Sequence, residues 1–318
     1  MTRRSAASLA IPIAFGCVYF FWGSTYTAIK VGVQYLHPLV LGGVRFLIAG
    51  TLMLAFCRLR GIHIWLPWRQ LGWLAVVGLL LLGGGNIGLV FSERYIASGL
   101  AALLVAVMPL YVAILSMLLP RGERLQARGW LGLALGLVGL IALLAPGLHQ
   151  QGQGQNGQVL GSVIVLSAAF LWAVGSILSR ELKLPVNPMV AAGWQMLAAG
   201  TASSVAAFVV SGWHQAHWTR SAAGAVGYLV TFGSLVGYTA FVWLLDHVPV
   251  PKVATYAYVN PVVAVILGGI FLGERMVSTE YAGMIAIVIA VALVTSSRIR
   301  VEDQSRKPAV AERQPVKA

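Results

Sequence analysis

The residues that could meet a solute lie inside long apolar runs. In FFWGSTYTAIK, residues 20–30, Trp22 and Tyr26 stand one helical turn apart among Ser24, Thr25 and Thr27. Tyr19, Trp22 and Tyr26 share one helix face. Hydroxyls in an apolar helix need a neighbouring helix, a backbone carbonyl or a wet cavity as partner. This stripe is therefore either a cavity wall or a packing surface, facing away from lipid. Trp172 and Ser176 repeat the one-turn spacing, with core or lipid contact as the alternative for Trp172. Asn86 follows Gly83, Gly84 and Gly85, and it either contacts solute or bonds another helix. Tyr238 stands in a comparable place further along the chain. In TYAYVNP, Tyr256 and Asn260 share a face beside Pro261. That proline removes a backbone donor and crowds the Ala257 carbonyl, which suits a binding site or a plain kink. Trp22, Tyr26, Asn86, Trp172, Ser176, Tyr238, Tyr256 and Asn260 form the candidate substrate-binding set, with Arg45, Pro109 and Pro261 as further functional candidates.

The charges narrow the chemistry. Arg45 lies within a span, where a cation is a functional candidate or a snorkelling strut. Glu93, Lys252 and Glu274 sit at span ends, where helix caps or loop ion pairs are expected. No Asp, Glu or His stands at mid-span, so no proton relay is legible, and uniport, or antiport through an end-of-span group such as Glu93, stays open. His214 and His217 are three apart in a loop and read as loop residues, not a metal pair. Cys17 and Cys57 make neither a disulfide framework nor a metal spacing. No cofactor or metal is expected. A membrane-embedded enzyme would need a catalytic constellation and a channel a polar or charged filter ring; neither is visible.

These residues must be positioned by membrane helices. The chain is 58% hydrophobic and 10% charged, with a mean hydropathy of +0.83, against about 25% charge in soluble domains. A bilayer-spanning helix needs roughly 20 apolar residues. Ten runs qualify: 11–33, 38–57, 70–91, 97–119, 129–146, 158–179, 188–211, 224–245, 252–272 and 277–297. They are too continuously apolar for barrel strands. The first run is too long, and too rich in Trp and Tyr, for a cleaved signal peptide. A net charge of +13 might suggest nucleic acid. With the amino terminus inside, however, seventeen Lys and Arg fall inside and only Lys30, Arg94, Arg220 and Arg275 outside. That bias is topological. It predicts a multi-pass membrane protein whose partners are lipid and a small solute, with no nucleic acid and both termini cytoplasmic.

The runs come in two sets of five. At an offset of 150, Trp22 meets Trp172, Lys30 meets Arg180, His37-Pro38 meets Asn187-Pro188, Arg45 meets Gln195 and Gly50 meets Gly200. Further on the offset drifts to 152, where Asn86 meets Tyr238 and Pro109 meets Pro261, and Gly122-Glu123-Arg124 parallels Gly273-Glu274-Arg275. Five is odd, so the second copy enters from the opposite side as an inverted repeat. Transporters use that symmetry to place a site at the midplane where the repeats meet. The organisation read is residues 1–148, an uncharged external linker at 149–157, a second repeat at 158–297 and a basic tail at 298–318. Gly132 and Gly136 form a helix-packing stripe, either between the halves or between two copies in a homodimer. Because Arg45 has no arginine twin, its role reads as structural more than solute-reading.

FWGSTY, GVRFLIAG, ATYAYVNPVVAVILGGIFLGER and the doubled five-span unit resemble the EamA family of the drug/metabolite transporter superfamily, most closely its YedA-like branch. The resemblance covers about residues 11–297. It implies an all-α membrane protein of ten helices in two inverted five-helix repeats. It further implies a central cavity lined by spans 1, 3, 4, 6, 8 and 9, and export of small metabolites such as amino acids, aromatic compounds or drugs by alternating access. Import or bidirectional facilitation is the alternative within transport. Gln195 departs from the symmetry, since the second copy lacks an arginine there.

Overall fold

The computed structural model describes residues 3–118, 124–125, 127–149, 153–248, 250–254, 256–274, 278–296 and 298–299. Part of the linker, residues 150–152, the Gly122-Glu123 pair, Arg275 and the tail from residue 300 lie outside the described residues. Among the described residues ten long helical segments follow one another. We number them α1 (Leu9–Val33), α2 (Pro38–Leu59), α3 (Trp68–Ser92) and α4 (Ser98–Met117). Next come α5 (Ala127–His149), α6 (Gln153–Leu182), α7 (Pro188–Val209), α8 (Arg220–His247), α9 (Tyr256–Leu272) and α10 (Ser278–Ser296). Among the described residues, six segments have the length and apolar composition to cross a membrane: α1 to α4, the 157–182 part of α6, and α8. Shorter apolar stretches lie in α5, α9 and α10. In α7, 22 residues long, Gln195, Thr201, Ser203 and Ser204 dilute the apolar content. The only strands among the described residues are Arg124–Leu125 and Arg298–Ile299, paired antiparallel.

Helix starts and interruptions follow local chemistry. His37 Nδ1 accepts from Leu39 N at 3.3 Å, and Asn187 Oδ1 accepts from Met189 N at 2.9 Å. Each cap is followed by a proline whose missing N–H costs nothing in the first turn. Burial, and next the charge of Arg94, hold the His37 pKa below its ordinary value, so Nδ1 stays free to accept. Pro109 lies in the first turn of Met108–Met117, just after a break in α4 at Ala106–Val107. Pro261 sits inside α9, and the interruption comes before Tyr256, after a single turn at Val250–Val253. Wider π turns occur at Val18–Trp22, Leu79–Asn86 and Leu229–Tyr238. Such turns unseat backbone carbonyls and recur at functional sites.

Small residues let the copies touch. A Cβ added at Gly200 would lie 2.7 Å from Leu47 N, and one at Gly50 would lie 2.9 Å from Gly193 O. Gly43 meets Ser204 and Gly193 meets Leu54, so α2 and α7 run antiparallel with their backbones in contact. Likewise Gly136 meets Leu110 and Ala290, and Gly139 meets Gly283 O, which joins α5 to α10 within one chain. The glycine stripe of α5 therefore has an intrachain partner.

Candidate functional site

The site is built around two tryptophans that occupy matching places in the copies. Trp22 and Trp172 meet edge to face at 5.4 Å. Trp22 also packs on Phe241 at 4.9 Å and Tyr256 at 5.1 Å, and its indole N–H donates to Gly233 O at 3.0 Å, a carbonyl of the α8 π turn. Trp172 packs on Phe241 and Tyr238. Its buried indole N–H has no partner among the described residues. Gly84 and Gly85 admit this neighbour: a Cβ at Gly85 would stand 2.8 Å from the Trp172 ring, and one at Gly84 2.5 Å from Leu171.

These rings border a cavity with an empty volume of about 530 Å³, open solvent included. Trp22, Thr25 and Tyr26 of α1, Arg45 of α2, Asn86 and Leu89 of α3, Val105 and Met108 of α4, Trp172 of α6, and Tyr256 and Asn260 of α9 line it. Six of the eight sequence-derived binding candidates thus share one space. Ser176 and Tyr238 do not. Ser176 is fully buried and its hydroxyl donates to Trp172 O one turn back at 2.7 Å, the usual resort of a serine inside a helix. Tyr238 donates to Gln195 Oε1 at 2.8 Å. Gln195 lines a second void, of about 940 Å³ with open solvent included, together with Arg180, Lys183 and Asp246. The cavity also departs from the pattern implied by resemblance. Arg45 reaches in from α2, while Tyr238 of α8 is buried against Gln195 and lines neither void.

Of the hydroxyls in the opening stretch, Ser24 joins two helices and Thr25 bonds back to its own. Ser24 bonds Phe21 O and the Tyr228 hydroxyl, at 2.7 and 2.6 Å, and Thr25 donates to Trp22 O at 2.7 Å. Asn260, with its amide nitrogen turned to the available acceptors, donates to Tyr256 O and Tyr19 O at 3.2 and 3.1 Å, tying α9 to α1. Arg45 is 3% exposed. Its Nε donates to Ser234 Oγ at 2.9 Å, one terminal nitrogen donates to Asn86 Oδ1 at 3.1 Å, and the guanidinium stacks over Phe46. It therefore is a strut, as the missing twin suggests, and also a cavity cation. No carboxylate pairs with it among the described residues.

At each end a cation clamps two carbonyls. Lys30 Nζ donates to Glu93 O and Ile96 O at 2.6 and 2.8 Å. Arg180 donates to Leu245 O and Val248 O at 2.8 and 3.0 Å. Sequence reasoning aligned Lys30 with Arg180 but did not foresee the shared clamp, whose acceptors are backbone atoms and leave no side-chain signature. Glu274 caps α4 as expected of a span-end acid, accepting from Ser98 N, Ser98 Oγ and Gly99 N at 2.9, 2.6 and 3.3 Å. Glu93 breaks that expectation, since among the described residues its carboxyl group makes neither cap nor ion pair. No metal-ligating cluster occurs among the described residues.

Comparison with known proteins agrees with this architecture. The model of the EamA-like transporter family matches twice, over residues 10–145 and 159–296. The chain is 40% identical to the uncharacterized inner membrane transporter YedA of Escherichia coli K12, over 87% of this chain and 88% of that protein. It is 25% identical to the uncharacterized transporter YvbV of Bacillus subtilis 168, over 93% and 94% of the two chains. A solved crystal structure with 22% identity superposes at a TM-score of 0.66, covering 90% of this chain and 97% of the other, and shares the fold. The chain belongs to the EamA-like transporter family.

Proposed function

We propose that this EamA-family transporter carries a small, flat metabolite bearing a carboxylate, such as an aromatic amino acid or aromatic acid, out of the cell across the inner membrane. One observation carries the reading: Arg45 is a buried cation with no anionic partner among the described residues, in a cavity walled by Trp22, Trp172 and Tyr256. A buried charge is retained when it is paired. A solute carboxylate supplies the missing partner, and guanidinium is the group best shaped to take it. The unpartnered Trp172 N–H adds a donor, and aromatic walls hold a ring with little side-chain ordering. A cationic solute, which π faces alone would accept, is disfavoured beside Arg45.

Alternating access supplies the movement. Equivalent helices α2 and α7 cross antiparallel, and the two cationic clamps sit at the ends of equivalent helices. Such an arrangement lets the same scaffold open to either side. The arginine and lysine bias sets the end near Arg58, Arg69 and Lys183 in the cytoplasm. The wider void lies at that end, the loading side of an exporter. The test uses matched pairs: phenylalanine against phenylalaninamide, and indole-3-acetate against indole-3-acetamide, titrated against the purified protein. The carboxylates bind about tenfold or more tightly, in keeping with about 1.5–3 kcal/mol for a hydrogen bond to a charged group, and the bound member is taken up by everted vesicles. Equal binding of acids and amides would contradict the reading.

A further inference from the structure

Lys30 and Arg180 perform the same task in the two copies, and the residues they clamp correspond at an offset of 152. Glu93 stands where the second copy has Leu245. In both, the backbone carbonyl serves the clamp and the side chain is free for other work. Leu245 is buried among apolar groups. Glu93 is 0% exposed, and neither oxygen of its carboxyl group has a hydrogen-bond partner among the described residues. A leucine meets the structural need at this place, so the carboxyl group is an addition. An ionised carboxylate buried without a partner is strongly disfavoured, and such a group neutralises instead.

The surroundings fix the sign. Span α1 presents Lys30, whose ammonium is held by two carbonyls, and Tyr26, which is within electrostatic reach of Glu93. The turn after α9 presents Glu274, occupied with Ser98 and Gly99. Span α2 brings His37, whose ring meets Phe91 of α3, and Arg45, bonded to Asn86. Arg94 adjoins Glu93 in the chain. No titratable side chain occurs in α6 between Gly157 and Ser179, in α4 between Ser98 and Leu110, or in α9 between Val262 and Leu272. Burial dominates, opposed by Lys30 and assisted by Glu274, and pushes the Glu93 carboxyl well above the ordinary carboxylate range.

We propose that Glu93 is a proton-binding site of the transport cycle, protonated while the Lys30 clamp is closed and ionised when that end opens. The inference rests on the alternating-access reading above for the link to opening. On opening, the O–H bond of the Glu93 carboxyl breaks, the proton passes to entering water, and the carboxylate left behind gains the released Lys30 ammonium as counter-ion. Proton affinity is higher in the closed form. Its stabilisation by the proton is complete below the open-state pKa and is lost as pH rises through the raised closed-state value.

The experiment is infrared difference spectroscopy of the full chain in lipid nanodiscs, titrated in pH, on wild type, Glu93→Gln, Glu93→Leu and Glu274→Gln. Wild type should show a protonated-carboxyl C=O band at neutral pH that disappears with a midpoint above the ordinary carboxylate range. The band should be absent in both Glu93 variants and kept in Glu274→Gln. Glu93→Leu should melt within a few degrees of wild type, as Leu245 suggests. Maleimide labelling of Leu89→Cys in a Cys17→Ala, Cys57→Ala background should rise with pH, and stay flat when Glu93→Gln is added. No band in wild type at neutral pH, or a band that survives Glu93→Gln, overturns the site. A titrating band with pH-independent labelling overturns its coupling to opening. Failure of the carboxylate-binding test would leave the band unaffected, so the two proposals fail separately.

Discussion

In the first copy the second and third helices are joined by Arg45 and Asn86. In the second copy the residues at matching places, Gln195 and Tyr238, join them. The geometry is shared and the charge is not. The π turns at Leu79–Asn86 and Leu229–Tyr238 also match, yet Trp22 has its N–H on a π-turn carbonyl while the Trp172 N–H has no acceptor among the described residues. At the ends, Glu93 faces Leu245 across the same symmetry. Both copies keep the joint between these helices. At the matched places Arg45/Gln195 and Glu93/Leu245 only the first copy carries an ionisable group.

That comparison is broken hardest at the tryptophans. Trp22, 8% exposed, is packed on three rings and hydrogen-bonded. Trp22→Ala should destabilise by about 3–5 kcal/mol, the range for a buried large-to-alanine change, seen as a large fall in melting temperature. Trp172→Ala, at the cavity wall, should cost clearly less stability and weaken solute binding. Equal melting temperatures for the two would show that the copies use their tryptophans alike.

Arg45→Gln gives the first copy the second copy's residue. Solute carboxylate binding should fall about tenfold to a hundredfold, the equivalent of about 1.5–3 kcal/mol, and the acid-over-amide preference should vanish while most protein stays folded. Binding unchanged with a collapse in folded yield would make Arg45 a strut alone. A smaller effect is expected at the helix starts. His37→Asn, copying Asn187, should change stability by less than about 0.5 kcal/mol, because Asn is among the best N-caps. Since the His37 pKa is held low, the wild-type cap weakens only as pH falls through that lowered value. The melting curve of His37→Asn should lack that acid-side loss.

The helices, the doubling and most of the cavity wall were legible because periodicity, paired prolines and matched tryptophans are local signals. Trp22, Tyr26, Asn86, Trp172, Tyr256 and Asn260 converge as their helix faces suggest. The reading fails where symmetry was taken to imply equal surroundings. Tyr238 matches Asn86 in place, but it is buried against Gln195 and lines neither void. Ser176 looked like a cavity hydroxyl because i, i+4 spacing cannot distinguish a side chain aimed outward from one bonded to its own helix. The π turns depend on tertiary packing, and the Gly-rich run before Asn86 is their only sequence trace. Glu93 was legible only as an end-of-span group open to antiport, because a span-end acid usually finds a cap or cation, and only its neighbours show that it finds neither among the described residues.

The central claim is that the two copies form one device whose ends open in alternation, each held by its own clamp. Single cysteines at Leu89, on the Arg45 cavity, and at Ala191, on the other void, report the two ends in a background lacking Cys17 and Cys57. Lys30→Met should raise maleimide labelling of Leu89→Cys about tenfold and lower that of Ala191→Cys. Arg180→Met should do the reverse. Each clamp is a pair of charge-assisted bonds worth about 1.5–3 kcal/mol apiece, enough to shift such a balance. Labelling that rises at both ends together in either variant would contradict the account.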